Sequence, residues 1–297
     1  PNMLSTEGPA LAIGDINGDG RDDIFIGNAR NKRPSVYLQL PDGKFTVSVQ
    51  PALDADSAFE DISAAWADMN GDGAIDLIVV SGGNEFYAKD PMLAPRLYLN
   101  DGKGKLSRSV NAITNIHLTS SRVLVCDINK DGFNDLIISG RAVSFAYGEI
   151  PRSYLLLNDG NGQFKDVTNT LAPELATCGM ITDARWIDMD NDGDEDLLVA
   201  MEWERITWFE NKLGRLFKME LGNEYGWWNM VTPFDADGDA LTYKWVITST
   251  GYTKTVTTAD AALTLTKMGT YKVALTVADG KGTDCGREVA AVAAPVH

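Results

Sequence analysis

The sequence predicts an all-β protein, in which a β-propeller-type array of four-stranded antiparallel blades precedes a small β-sandwich. Three observations predict this fold. A nine-residue acidic turn recurs four times, with its first Asp at residues 15, 68, 127 and 188. A run of β-branched and other apolar residues follows each turn, and no segment shows sustained helical periodicity. Repeats of this size built only from strands are typical of propeller blades and not of helical solenoids.

Each repeat carries four strand signals. They fall at 11–13, 24–26, 36–40 and 45–49 in the first repeat, at 63–66, 77–80, 96–99 and 106–110 in the second, at 122–125, 136–138, 154–157 and 164–167 in the third, and at 184–187, 197–199, 206–209 and 216–218 in the fourth. Asp-Gly pairs at 42–43, 101–102 and 159–160 predict hairpins between the last two strands. The predicted repeats span about 8–52, 60–112, 120–172 and 180–222 within a propeller region of 1–234, and a fifth repeat starts near 226.

The recurring turn has the pattern Asp-x-Asn/Asp-x-Asp-Gly-x-x-Asp. Oxygen ligands at positions 1, 3 and 5 converge on one point, as Ca²⁺ binding requires, and Gly at position 6 allows the sharp turn. Position 7 offers its backbone carbonyl, and the Asp at position 9 closes the shell. The predicted metal ligands are Asp15, Asn17, Asp19, Arg21 and Asp23; Asp68, Asn70, Asp72, Ala74 and Asp76; Asp127, Asn129, Asp131, Phe133 and Asp135; and Asp188, Asp190, Asp192, Asp194 and Asp196.

An EF-hand and a set of Asx-turns are the rival interpretations of this pattern. An EF-hand needs an acidic residue at position 12, where this chain has Ile26, Val79, Ile138 and Val199. Asx-turns, in which Asp and Asn accept hydrogen bonds from backbone amides, explain Asp at one or two positions. They do not explain three alternating oxygen ligands, a Gly and a further Asp in four copies. The sequence therefore predicts about four structural Ca²⁺ ions.

Composition limits the partners and the compartment. The formal net charge of −16 argues against nucleic acid and anionic membranes, and no run approaches 18 apolar residues, so we expect no membrane insertion. The chain begins at Pro1 without a signal-peptide pattern, and we expect any export signal to lie outside it. Calcium sites of this kind saturate at the roughly millimolar Ca²⁺ found outside cells, which predicts an extracellular, cell-surface or periplasmic location. Three Cys predict no disulfide framework, and a pairing of Cys178 with Cys285 stays open.

The repeats resemble the FG-GAP/VCBS family, which forms the blades of integrin α-subunit heads and of many bacterial surface proteins. The segments Val-Ser-Gly-Gly-Asn-Glu at 80–85, Arg-Leu-Tyr-Leu-Asn-Asp at 96–101 and Gly-Trp-Trp-Asn at 226–229 are similar to bacterial VCBS-repeat proteins associated with ASPIC/UnbV domains. The resemblance covers about residues 3–234. It implies a Ca²⁺-stabilised propeller used for adhesion or polymer binding, with no established chemistry.

The pattern changes after residue 234. The turn at 235–243 lacks both the Gly at position 6 and the Asp at position 9, so no complete fifth site is predicted. Threonine becomes frequent, and the segments 241–247 and 270–277 alternate as half-exposed strands do. This stretch, 235–297, is similar to the PKD and cadherin-like β-sandwich modules of bacterial surface proteins.

The leading functional hypothesis is a non-catalytic, extracellular, calcium-binding propeller that binds a protein or a polysaccharide at a bacterial surface. A polysaccharide-active lyase or hydrolase and a structural spacer are the alternatives, and the oligomeric state stays open. The chain has two His and no catalytic motif, and no catalytic residue is predicted, although Glu202 and Glu204 flank Trp203. Several aromatic residues could stack on sugar rings at a propeller face, although packing between blades is the favoured interpretation: Tyr87, Tyr98, Tyr147, Trp203, Trp208, Trp227 and Trp228. The long loops 82–95 and 140–152 are better candidates for a binding rim, and they contain Phe86, Tyr87, Phe145 and Tyr147.

Overall fold

The structure, a computed structural model of the chain, describes residues 8–83, 85–231, 242–249, 252–257, 271–278 and 289–293. The chain divides into two compact units, Pro1–Thr232 and Pro233–His297. No helix within the described residues is long and apolar enough to cross a membrane.

The first unit consists of four antiparallel sheets, each with its strands in chain order. Blade 1 contains β1 Leu11–Gly14, β2 Asp23–Ile26, β3 Ser35–Gln39 and β4 Phe45–Ser48; blade 2 contains β5 Asp61–Ala67, β6 Asp76–Ser81, β7 Arg96–Asn100 and β8 Leu106–Ser109; blade 3 contains β9 Thr119–Cys126, β10 Asp135–Ala142, β11 Tyr154–Asn158 and β12 Phe164–Asp166; blade 4 contains β13 Met180–Ile187, β14 Asp196–Glu204, β15 Thr207–Lys212 and β16 Arg215–Glu220. The predicted all-β class and the four-stranded blades are confirmed.

Short helical segments connect the blades or extend their loops. They are α1 Pro51–Ala55, α2 Thr168–Leu171 and the 3-10 turns Pro91–Leu93 and Leu175–Thr177. Leu53 and Leu175 are 1% and 0% exposed, because these segments cover the apolar edges between neighbouring sheets. The strand β17, Gly226–Trp227, pairs with the end of β14, where the sequence predicts the start of a fifth repeat.

Three apolar cores join the four blades in sequence. Alternate residues of a strand point to opposite faces of its sheet, so an inner blade buries both faces. The core between blades 1 and 2 contains Phe25, Val36, Leu77 and Tyr98. The cores between blades 2 and 3 and between blades 3 and 4 are built in the same way. Every residue of β6 and of β10 is buried, which confirms the prediction of core strands there, whereas in β2 Ile24 is half-buried and Ile26 is exposed.

An asparagine near the end of the third strand ties each of blades 2 to 4 to the blade before it. The side-chain Nδ2 of Asn100 donates to the carbonyl oxygen of Ile16 at 2.7 Å. The equivalent bonds run from Asn158 to Met69 at 2.9 Å and from Asn211 to Ile128 at 3.2 Å. Each acceptor is the second residue of the preceding acidic turn. We call these three bonds the asparagine clasps.

The second unit contains one described sheet, with its antiparallel strands in the order β19-β18-β20-β21. These strands are β18 Thr242–Ser249, β19 Tyr252–Val256, β20 Tyr271–Ala278 and β21 Val289–Ala293. The PKD or cadherin-like sandwich stays a prediction, and the turn residues 235–240 and Cys285 lie outside the described residues. Cys126 and Cys178 are free thiols.

Candidate metal-binding turns

The four acidic turns have the same backbone geometry. The Gly at position 6 has a φ of +80° to +91°, as predicted for the sharp turn. Its N–H donates to the Asp at position 1 over 2.7–2.9 Å in all four copies. The N–H at position 7 donates to the Asp at position 5 over 2.8–3.0 Å. These are Asx-type hydrogen bonds, so the carboxylates shape the turn as well as offering ligand oxygens.

The Asp at position 9 has a second structural role that the sequence did not reveal. Asp76 is fully buried, and its carboxylate accepts hydrogen bonds from the backbone N–H of Met69 at 3.0 Å and of Asn100 at 2.8 Å. It therefore joins its own turn to the third strand of the blade. The same pair of bonds is made by Asp23 to Ile16 and Gln39, by Asp135 to Ile128 and Asn158, and by Asp196 to Met189 and Asn211.

Burial raises the pKa of these four carboxyl groups, although the two N–H donors at each oppose the shift. The pKa of Asp76 and the pKa of Asp135 rise to about 6, and the pKa values of Asp23 and Asp196 rise as well. The neighbouring turn carboxylates add to the upward shift because like charges repel. A bound cation would offset both effects.

The fourth turn brings its carboxylates together. Ligand oxygens of Asp188, Asp190 and Asp196 all lie within 4.8 Å of one another, the one such acidic group among the described residues. Two oxygens bound to one Ca²⁺ at about 2.3–2.6 Å cannot be more than about 5 Å apart. The arrangement therefore fits a single hard cation, and three carboxylates this close repel one another in its absence.

In the first three turns a neighbouring donor holds the Asp at position 5. The Arg21 guanidinium pairs with Asp19. The amide Nδ2 of Asn70 donates to Asp72, and that of Asn129 donates to Asp131, each at 2.9 Å. The fourth turn has Asp190 where the other three turns have Asn, so position 3 supplies the third carboxylate of this group only in the fourth turn. The predicted ligands of all four turns thus lie in the expected loops, but only the fourth set brings three carboxylates together.

The loops at the other end of the blades expose aromatic side chains. Successive connections of an antiparallel sheet lie at opposite ends, so the loops between second and third strands lie away from the acidic turns. Tyr87 and Phe145 come from blades 2 and 3, are 65% and 71% exposed, and have ring centroids 6.2 Å apart. In blade 4, the ring of Trp203 is 57% exposed and its centroid lies 4.9 Å from that of Trp227. We call these four residues the aromatic rim.

Two backbone conformations in the aromatic rim are unfavourable. Phe145 and Trp203 have φ values of +62° and +64°, in the left-handed region that bulky residues seldom adopt. Such a conformation costs about 1–2 kcal/mol per residue. Residues held in this way cluster at binding sites, and the surrounding structure maintains them.

Two of the candidate aromatic residues are buried: Tyr98 packs between blades, as the favoured interpretation expects, whereas Phe86 of the loop 82–95 does not reach the binding rim. Phe86 is 7% exposed and lies 4.8 Å beneath the Arg30 guanidinium. Tyr98 is fully buried between blades 1 and 2, and its hydroxyl donates to Asp56 at 2.6 Å. Tyr98 lies in β7 and faces the core between blades 1 and 2, whereas Phe86 lies in the loop after β6 and is covered there.

Glu202 is not presented to solvent as a free acid. It is 1% exposed, accepts a hydrogen bond from Arg141 Nη2 at 2.5 Å, and accepts another from the Tyr147 hydroxyl at 2.7 Å. These contacts connect β10 and the loop that follows it in blade 3 to β14 of blade 4. Glu202 thus forms a buried ion pair with Arg141.

The comparison with known families agrees with this architecture. The sequence profile described as FG-GAP-like repeat matches residues 15–79, 68–138 and 143–199, which together are more than half of the chain. The chain belongs to the FG-GAP-like repeat family. The FG-GAP matches begin at the first acidic turn and end in β14, so they include all four turns. No curated protein is similar to the chain over its sequence.

Among solved structures, the crystal structure of a thermostable family-43 glycoside hydrolase is similar to this FG-GAP chain. The TM-score is 0.45 and the sequence identity 9%, over 73% of this chain and 73% of that one. A likeness at this level does not extend to activity.

Proposed function

We propose that this FG-GAP chain is a non-catalytic, calcium-stabilised propeller that binds polysaccharide at an extracellular bacterial surface through the aromatic rim. The observation that carries the proposal is the exposed pair of rings Tyr87 and Phe145, which come from loops of blades 2 and 3 at the end opposite the acidic turns. Flat aromatic faces bind the apolar faces of sugar rings, and rings fixed on a rigid scaffold lose little entropy on binding.

Calcium is the cation that suits the turn residues. All the proposed side-chain ligands are carboxylate or amide oxygens, which hard cations prefer, and none is a thiolate or an imidazole. Asp188, Asp190 and Asp196 would hold an ion in the fourth turn, and the equivalent residues would do so in the other three. The ions would act structurally, because the turns lie at the end of the blades away from the aromatic rim.

Calcium affinity is expected to fall on acidification. In the metal-free fold the pKa values of Asp76 and Asp135 are about 6, above the usual value near 3.9 for an unfolded chain. Protonation of these two carboxyl groups therefore stabilises the metal-free fold. This contribution to the free energy of unfolding is fully present below about pH 4 and is lost as the pH rises through 6. Calcium competes with the same protons, so affinity at these two turns should drop about tenfold between pH 7 and pH 5.

Isothermal titration at the two pH values measures this change, and proton release on binding at pH 6 provides a second readout. The Asp76→Asn variant should remove the contribution of the second turn to this pH dependence of calcium affinity. An affinity that is equal at pH 5 and pH 7 would contradict the assignment of these carboxylates as ligands.

Substitutions in the aromatic rim are expected to weaken polysaccharide binding. Loss of one stacking ring costs about 0.5–1.5 kcal/mol, so Tyr87→Ala or Phe145→Ala should each reduce affinity by up to about tenfold. Both side chains are largely exposed, so the melting temperature should change little. A glycan array followed by affinity electrophoresis on the bound polysaccharide gives the measurement.

Phe133→Ala is the matched control, because Phe133 is 40% exposed but lies in the third acidic turn, at the opposite end of the blades. It should leave binding unchanged. A reducing-sugar assay on the same samples tests the enzyme alternative. Turnover, or the absence of any polysaccharide binding, would overturn the proposed function. If the aromatic rim bound a protein and no polysaccharide, the proposed polysaccharide ligand would be wrong.

A further inference from the structure

A pocket of about 270 Å³ lies between the first strands of the blades, within the FG-GAP unit. Four of its lining residues stand near the starts of β5, β9 and β13, and the first strands of successive blades lie next to one another. The described lining consists of Gly8, Ile62, Ser121, Arg122, Thr182 and Asn229. We call this cavity the arginine pocket. Ligand pockets are typically about 300–1,000 Å³, so its size suits one sugar residue.

The arginine pocket lies at the same end of the blades as the aromatic rim. Each first strand runs towards its acidic turn, so the starts of these strands lie at the opposite end. Thr182 Oγ1 donates to the carbonyl oxygen of Trp228 at 2.5 Å. Asn229 of the pocket follows Trp227 of the aromatic rim by two residues. A ligand that stacks on the blade 4 side of the rim is therefore close enough to extend into the pocket.

Arg122 is the one charged side chain in the described lining of the pocket. Its Nε donates to Asp183 Oδ1 at 2.6 Å, which fixes the plane of the guanidinium. Asp183 is fully buried and also accepts a hydrogen bond from the backbone N–H of Val231 at 3.1 Å. The two Nη atoms of Arg122 make no hydrogen bond with any residue that the structure describes. Both are therefore available to a ligand.

The ion pairs beside the pocket leave one positive charge in excess. Arg185 Nη1 lies 3.1 Å from the Asp183 oxygen that Arg122 also contacts, so two guanidinium groups share one carboxylate. The buried Asp61, next to Ile62 in the chain, is neutralised by Arg96 at 2.6 Å. The charge at the pocket thus favours an anionic group.

The net charge of −16 does not oppose this local preference. Arg122 precedes Asp127, the first residue of the third acidic turn, by five strand residues, which is roughly 17 Å at about 3.3 Å per residue. Salt at physiological strength screens charges beyond about 8 Å. The carboxylates of the acidic turns are therefore largely screened from a ligand at the pocket.

We propose that the arginine pocket binds the carboxylate of a uronic acid residue, so that the polysaccharide bound by the aromatic rim is an acidic one. This inference rests on the proposed function, whose ligand class it narrows. A guanidinium with two free Nη donors presents a planar fork that matches the two oxygens of a carboxylate. One excess charge suits one carboxylate in the site and not the dense row of phosphates in a nucleic acid.

Isothermal titration on the full chain in calcium tests the proposal with tetramers of glucuronate, galacturonate and mannuronate. Each tetramer is compared with its neutral form, in which the carboxyl groups are reduced to alcohols. At least one acidic tetramer should bind tenfold or more tightly than its neutral form. Arg122→Gln should weaken binding of that tetramer by about 10–100-fold, because it removes a charge-assisted hydrogen bond, and should leave binding of the neutral form unchanged.

Arg108→Gln is the matched control. Arg108 also pairs with an Asp and its side chain is 29% exposed, against 31% for Arg122, but it lies in the outer strand of blade 2. It should bind the acidic tetramer as the wild-type protein does. Melting temperatures establish that both variants are folded, and the preference of the wild-type protein for an acidic form is measured without any variant.

Equal affinity for acidic and neutral tetramers would overturn the acidic ligand and leave polysaccharide binding by the aromatic rim in place. Absence of binding to every tetramer, acidic or neutral, would overturn both proposals. Equal losses in Arg122→Gln and Arg108→Gln would show a general charge effect and overturn the assignment of the pocket. Tighter binding of a sulfated galactose tetramer than of any uronic acid tetramer would overturn the carboxylate as the ligand group.

Discussion

Chelating calcium is expected to lower the melting temperature of the FG-GAP unit by about 10–20 °C. With millimolar Ca²⁺ and a dissociation constant near 10⁻⁴ M, each site adds about 1.4 kcal/mol by mass action. Four such sites add about 5–6 kcal/mol, which is comparable to the whole stability of a domain. For a unit of this size, 1 kcal/mol corresponds to about 2–4 °C.

The contacts of the acidic turns indicate why loss of a bound ion would lower the stability of the whole unit. In each turn the buried Asp at position 9 bonds to the third strand, and in blades 2 to 4 the asparagine clasp begins in that same strand. In the fourth turn, Asp188, Asp190 and Asp196 have oxygens within 4.8 Å of one another. Removing the cation leaves these carboxylates in mutual repulsion, so we expect the fourth blade to open first.

Differential scanning calorimetry with EDTA, followed by restored calcium, measures the effect. Magnesium should restore less stability, since it demands octahedral geometry and gives up its water reluctantly. Asp190→Asn, which recreates the residue of the other three turns, should reduce the dependence on calcium. A melting temperature that does not respond to chelation would remove the metal assignment.

Asp76→Ala is expected to destabilise the FG-GAP unit by about 2–6 kcal/mol. The substitution leaves the backbone N–H groups of Met69 and Asn100 without their acceptor in a buried turn. Each unpaired buried donor costs about 1–3 kcal/mol. The change also loosens Asn100, whose side chain bonds to the carbonyl oxygen of Ile16 in blade 1. Urea unfolding in calcium and in EDTA gives the free energy of unfolding.

Asp72→Ala is the control that separates the metal from the hydrogen bonds. Asp72 occupies position 5 of the same turn, and the hydrogen bonds that its carboxylate accepts from Asn70 and Ala74 are exposed to solvent. Both variants should lose stability in calcium. In EDTA the effect of Asp72→Ala should nearly vanish, while that of Asp76→Ala should persist. Equal effects of the two variants in EDTA would contradict the structural role of Asp76.

Local pattern determined most of the blade architecture. The strands, the hairpins at Asp-Gly pairs and the left-handed Gly at position 6 all follow from spacing within about ten residues of sequence. Side-chain alternation and turn chemistry act at that range, so these elements could be predicted. The same holds for the set of oxygen-bearing side chains in each acidic turn, because nine consecutive residues supply them.

The contacts between blades could not be predicted in this way. In blades 2 to 4 the side chain of the asparagine near the end of the third strand bonds to a carbonyl oxygen 83–89 residues away, which no local pattern indicated. From the sequence, Glu202 was only one of two acids flanking Trp203, and the fold alone placed Arg141 against it. Phe86 and Tyr98 looked equivalent to the exposed aromatics, although both are buried.

The sequence by itself determined that this protein is made of four-stranded FG-GAP blades with one acidic, oxygen-rich turn in each. Only the tertiary structure decided which aromatic residues form the rim and which carboxylates converge. The reason is physical: turn and strand formation depend on neighbours along the chain, whereas burial and pairing depend on how successive sheets stack.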